Sequence, residues 1–348
     1  MTILIVIIGL SVLILGHEWG HFFAAKKFGL KVDEFGFGFP PRIFARRKGE
    51  TEYSFNWLPF GGFVKIAGEN DRMAGDLDRL RNLPEPEKKR IFLFQPAWKR
   101  SVIILAGIFV NFIIGWILFS TVAMVGTPSA LIISTIQPGS PAEVAGIKAN
   151  DVVKEYKDAN AFIAFVNNNR GKKISFSVLR GSEEVLITAT PREQVIEGEG
   201  GLGVGLAPAG ASPEGFLGSI ASGFKQTVYV TEGTFNGFYT MLKGLISTGK
   251  VPADIAGPVG IFSVANEVGK IGYAYLINLI ALISINLAVL NLIPFPALDG
   301  GRFLMILIEK VKGSPVPIRV EGIINGVGFA LLLLLMVVVT ARDVVRLF

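Results

Sequence analysis

The chain has no cysteine, and only two histidines in 348 residues. The first absence excludes disulfides and every metal site built on thiolate. The second leaves two imidazoles for any catalytic or metal-binding task. Charge is also scarce. Asp, Glu, Lys and Arg make up 18% of the residues, against about 25% in a typical soluble domain, while 51% are hydrophobic. A chain of this balance is expected to meet the lipid bilayer. No basic residue precedes the first apolar run, which starts at Thr2. A cleaved signal peptide would need one, so an uncleaved anchor is expected.

Both histidines fall in one pentapeptide, His17-Glu18-Trp19-Gly20-His21. Positions i and i+4 share a helix face, so both rings can reach one metal ion. Glu18 sits beside them, placed to act as a base on water activated there. With no thiolate and no third imidazole, a further protein ligand has to be an oxygen donor, Asp or Glu. The plain alternative is a pair of solvated or hydrogen-bonded histidines at a helix end. Ionisable groups at membrane depth are costly, however, and by default mark function.

Four segments are long and apolar enough to span, about 20 residues each. They are expected at 1–25, with the HExxH pentapeptide near its far end, and at 101–126, 272–301 and 321–348. Lys and Arg set the orientation. The region 26–100 is dense in them, including Arg72, Arg79 and Arg81, and the loop 302–320 carries Arg302, Lys310, Lys312 and Arg319. Both are expected to be cytoplasmic, with both termini outside; Arg342 and Arg346 oppose this but are outnumbered. HExxH then lies at the cytoplasmic end of the first span. The third span ends at the same depth with Asn291-Leu-Ile-Pro-Phe-Pro-Ala-Leu-Asp299-Gly300-Gly301. Its prolines break the helix, which membrane proteins tolerate only around protein or water-filled cavities. Asp299, delivered opposite the histidines, completes a candidate zinc site.

Between the first two spans, Glu34–Pro40, Glu52–Trp57 and Pro59–Ile66 alternate at period two and are expected to be strands. Residues 127–192 read as a soluble external domain, with a hairpin around 174–190. Residues 193–271 read as a linker followed by an amphipathic surface helix over 216–246, with a fifth span as the alternative.

HExxH in the first span, Asn-x-x-Pro-x-Pro-x-Leu-Asp-Gly in a later one and Pro138-Gly-Ser-Pro-Ala142 followed by Asp151 in the insert together resemble the site-2 proteases. These are M50-type intramembrane zinc metalloproteases. The version with one PDZ domain, of the bacterial regulator of sigma-E protease type, is the most similar. The resemblance implies a polytopic α-helical membrane protein with a membrane-associated β segment and an inserted PDZ-like α+β domain. It implies Zn2+ held by His17, His21 and Asp299, Glu18 as general base and Asn291 as a substrate-positioning residue. It also implies cleavage of single-span membrane proteins at the bacterial inner membrane in regulated intramembrane proteolysis and stress signalling. Such substrates are anti-sigma factors already trimmed outside, or remnant signal peptides. Protein tails are candidate partners of the insert, with a domain that only blocks bulky substrates as the alternative; nucleic acid is not an expected partner. The chain departs from the family at Ile108, where proline is usual after Ala106-Gly107, and at Asn150, where glycine is usual. No carboxylate-binding loop is recognised in the insert. A PDZ scaffold with a structural metal, or a zinc transporter, remains the rival class. Neither has a use for Glu18.

Overall fold

The computed structural model describes residues 2–69, 80, 82–180, 183–194, 200–248 and 257–347. Arg72, Arg79 and Arg81 lie outside the described residues. The chain divides into two compact units, 1–120 with 220–263 and 277–348, and 121–219 with 264–276.

Helix α1 (Thr2–Lys27) runs unbroken through HExxH. It stops where Gly29, at φ +77°, takes the left-handed conformation. The amides of Gly29 and Leu30 then bond the carbonyls of Lys26 and Ala25, which satisfies the open helix end. Strands β1 (Val32–Lys48) and β2 (Thr51–Ile66) follow and pair antiparallel. The three expected strand segments are thus two long strands folded back on themselves, so that Phe35 is opposed to both Tyr53 and Val64. A short helical turn at Glu85–Lys88 leads to α2 (Ala97–Val125).

The second unit carries β3 (Thr127–Ile136), α3 (Pro141–Val144), β4 (Val152–Val153), α4 (Ala159–Asn168), β5 (Ile174–Arg180), β6 (Glu183–Ala189) and β7 (Val204–Ala211). The sheet order is β6-β5-β4-β3-β7. The sheet therefore reaches past the expected boundary at 192. β7 reads Val-Gly-Leu-Ala-Pro-Ala-Gly-Ala, without the run of β-branched residues that marks a strand. An edge position tolerates such a sequence, proline included. Leu131, Ile133, Phe162, Phe176, Val178 and Leu202 fill the core. Asp151 is buried and receives two bonds from the Arg180 guanidinium, at 2.9 and 2.8 Å. Asn150 stands at φ +70°, a conformation asparagine enters more readily than other side chains, which accounts for it replacing glycine there.

The remaining helices are α5 (Phe216–Thr248), α6 (Pro258–Ile271), α7 (Tyr273–Leu292), α8 (Asp299–Lys312) and α9 (Ile318–Leu347). Among the described residues four helices, α1, α2, α7 and α9, are long and apolar enough to cross a membrane. The stretch expected as the loop 302–320 is mostly helix: α8 continues to Lys312 and is closed by Gly313 at φ +73°. The expected amphipathic helix forms as α5, and one face of it packs on the spans. The Trp116 indole N–H donates to Ile220 O at 3.0 Å, and Val230 joins Phe119, Ala281, Ile285 and Val289 in one cluster. Gly223 permits this approach, since a Cβ there would meet the Ser120 backbone nitrogen at 2.6 Å. Lower down, the Thr234 hydroxyl donates to Asn286 Oδ1 at 2.7 Å. α9 instead leaves Ile323, Val327, Leu331 and Leu334 exposed at helical spacing, a surface suited to hydrocarbon.

Candidate metal centre

His17 and His21 lie one turn apart on α1, their rings edge to face with centroids 4.7 Å apart. His21 Nδ1 stands 2.9 Å from the Ile103 carbonyl of α2. That bond places the proton on Nδ1 and leaves the Nε2 lone pair pointing inward. The ring fits because residue 107 is glycine: a Cβ there would lie 2.4 Å from His21 Nε2. The two helices touch again at Gly20, where a Cβ would meet Ala106 O at 2.5 Å.

Asp299 arrives from the opposite end of the chain. α7 ends at Leu292, and Pro294 and Pro296 carry the chain through a turn that closes with Ala297 at φ +70°. Asp299 then opens α8. The turn lies directly on that first helical turn. A Cβ on Gly300 would lie 2.2 Å from Ile293 O, and one on Gly301 2.2 Å from Phe295 O. From α9, Asn325 Oδ1 accepts the Ala297 amide at 3.2 Å, and Gly328 makes room for Pro296. The Leu-Asp-Gly-Gly pattern thus has a steric cause: only glycine fits where the loop crosses the helix start.

The three side chains converge. Asp299 Oδ2 is 2.9 Å from His17 Nε2 and 3.3 Å from His21 Nε2, and the two Nε2 atoms are 3.2 Å apart. Zinc bound at 2.0–2.1 Å in a tetrahedral site separates its donors by about 3.3 Å. The triangle is close to one face of such a tetrahedron. Asp299 Oδ2 is buried yet receives no well-directed hydrogen bond. A buried acceptor left so costs roughly 1–3 kcal/mol. Three lone pairs aimed at one point suit a divalent cation, and His17, His21 and Asp299 are the residues that could hold it.

Glu18 sits between the histidines, half-buried against β2, where a Cβ on Gly62 would lie 3.3 Å from its Cγ. Asn291 stands half-buried in the last turn of α7. Gly107 and the Ile103 carbonyl shape the site without being marked in the sequence, and Glu69 and Arg302 stand near it as a further pair. Arg302 Nη1 pairs with Glu69 Oε1 at 2.8 Å. Burial pushes the Glu69 carboxyl above its ordinary range, with Arg302 acting against the rise. Gly107 could have been noticed as a small residue in an apolar helix; nothing in the spacing of Glu69 and Arg302 pairs them.

An HExxH helix and a distant carboxylate meeting within four apolar helices define a membrane-embedded zinc metalloprotease, a multi-pass protein of the inner membrane. The chain belongs to Peptidase family M50, whose sequence profile matches residues 5–335. It is 30% identical to zinc metalloprotease RasP of Oceanobacillus iheyensis, over 100% of this chain and 99% of that one. It is likewise 30% identical to zinc metalloprotease RasP of Geobacillus kaustophilus, over 100% and 98%. It is 29% identical to the regulator of sigma-W protease RasP of Bacillus subtilis, over 100% and 99%.

Proposed function

We propose that His17, His21 and Asp299 hold the zinc of this intramembrane protease, with Glu18 as general base. The carrying observation is the triangle of three donor atoms with sides of 2.9 to 3.3 Å. Bound zinc supplies Lewis acidity, which brings the pKa of water from 15.7 to roughly 7. Glu18 takes the proton of the attacking water and passes it to the leaving amide nitrogen, which splits the peptide bond without charged leaving groups. Asn291 positions the substrate segment. β2 runs past Glu18 at Gly62, where its backbone can pair with a substrate stretch that has left its helix.

The enzyme acts in regulated intramembrane proteolysis. Its substrates, in this reading, are single-span proteins such as anti-sigma factors after a first cut, or remnant signal peptides; the name of the Bacillus subtilis relative, regulator of sigma-W protease, supports the first. The active site lies near the cytoplasmic face with both termini outside in this reading, which the Lys and Arg of 26–100 and of Arg302–Arg319 support. The second unit is a PDZ-like domain that takes protein tails. Its support is the edge position of β7 and a cavity between α4 and β7 lined by Phe162, Val166, Leu202 and Leu206. The segment leading into β7, Gly201-Leu202-Gly203-Val204, turns at Gly203 with φ +72° and is the candidate carboxylate loop, which the sequence alone does not mark.

The test is zinc content of the purified chain, followed by cleavage of a single-span reporter with and without a chelator. Near-stoichiometric zinc and chelator-sensitive cleavage are expected. Cleavage that persists after the metal has been stripped ends the proposal.

A further inference from the structure

The carboxylate that completes the triangle comes from the first residue of a 14-residue helix. A short helix can rotate about its axis, and Asp299 rides at the rim. The Cα radius is about 2.3 Å, and the side chain extends the lever to about 6 Å, so a 10° turn moves the oxygen by about 1 Å. Metal–ligand distances tolerate only about 0.2 Å. Something has to fix α8 to within a few degrees. The crossing turn packs on Gly300 and Gly301 and sets where α8 begins, and an anchor farther along the helix adds the second point that fixes its rotation.

Arg302 lies three residues beyond Asp299 and so on the same side of α8. It reaches Glu69 at 2.8 Å. Glu69 is itself anchored. The Ala67 amide bonds Lys31 O, the Phe92 amide bonds Ala67 O, and the Glu69 amide bonds Ile66 O. Gly68, at φ +76°, packs so closely on Ile91 that a Cβ would lie 2.1 Å from its Cγ2. That turn brings Glu69 inward from the end of β2, and its side chain is 11% exposed. At the far end of α8, Glu309 pairs with Arg100 of α2 at 2.9 Å. Both ion pairs border one cleft, but only the first stands within a turn of the metal-binding carboxylate.

We propose that the Glu69–Arg302 ion pair is a positioning device for Asp299. It fixes the rotation of α8 and thereby holds Asp299 Oδ2 at zinc-binding distance from His17 and His21. The end of β2 is in this way tied to the metal ligand, and Glu69 acts on zinc through Arg302. The inference rests on the zinc reading above.

The test uses the full-length chain in detergent. Zinc affinity is measured by competition with a chromogenic chelator, and the visible spectrum of the cobalt-loaded protein reports coordination. Glu69→Gln is expected to weaken zinc binding 10- to 100-fold, the usual cost of losing an outer-shell partner, and to alter the cobalt spectrum. Glu309→Gln, on the same helix, is expected to stay within threefold of wild type. Glu69→Arg combined with Arg302→Glu is expected to recover part of the loss. Wild-type affinity in Glu69→Gln overturns the proposal, as does an equal loss in Glu309→Gln, which would make both pairs mere helix stabilisers. Should Glu69→Gln not fold, Arg302→Lys keeps the charge with a different reach, and unchanged affinity there overturns the proposal equally. Absence of zinc from the wild type would instead strike the zinc reading itself.

Discussion

Glu18 differs from its neighbours in having no part in the donor triangle. Replacing it by Gln keeps its volume and hydrogen-bonding reach but removes the base. Cleavage of a single-span reporter by Glu18→Gln is expected to fall by about 10²–10⁴-fold, while bound zinc stays near the wild-type level. Wild-type turnover in that variant would remove Glu18 from the mechanism. Gly107 makes the opposite case, a residue with no chemistry that the site cannot do without. Its missing side chain is the space occupied by His21 Nε2, 2.4 Å from where a Cβ would stand. Gly107→Ala is expected to displace the imidazole and lower zinc content and cleavage together, with the helical circular dichroism unchanged. HExxH was legible from the sequence because both of its histidines are one turn apart. Gly107 was not, because its partner is on another helix.

The β1–β2 hairpin carries a buried carboxylate held by two half-exposed cations. Glu34 receives hydrogen bonds from Lys65 at 2.6 Å, Ser54 at 2.7 Å and Arg42 at 2.9 Å. Burial alone would raise its pKa, but the Lys65 bond, the Ser54 bond and the two cationic charges outweigh it, so the carboxyl is held below its ordinary range. The sign follows. A depressed folded pKa contributes stability above the unfolded value, about 4.3 for Glu, and that contribution is lost as pH falls through the folded value. Amide protection factors in β1 and β2 are therefore expected to fall on acidification below about pH 4, and Glu34→Gln to flatten the dependence. An unchanged acid dependence in that variant would assign it to other groups. Period-two alternation marked both strands, yet the fold-back of one on the other was hidden, since a strand pattern does not say which of two edges a partner takes. The spans were plain because 20 apolar residues need no partner to be read. The helical form of α8, within the connection between the last two spans, is hard to read because its charged residues, Arg302, Glu309, Lys310 and Lys312, obscure the apolar face.

Zinc would tie the first helix of the chain to a carboxylate about 280 residues later, so binding is open only to the folded chain. Ligand at about 1,000 times its dissociation constant adds roughly 4 kcal/mol to stability. The melting temperature of the purified protein is expected to rise with added zinc and drop with chelator. In Asp299→Ala both responses should shrink sharply. A melting curve indifferent to zinc in the wild type would contradict a metal held between α1 and α8.

The sequence alone determined the class of chain, its four spans and the chemistry of its donors, because hydrophobic length and i, i+4 spacing are local properties that survive in one dimension. Tertiary structure alone decided the distances at which Asp299 meets the two histidines, that Gly107 vacates the space for His21, that β7 closes the second sheet and that Glu69 finds Arg302. Each of these is a distance between residues far apart in the chain, and such distances exist only once helices and strands have packed.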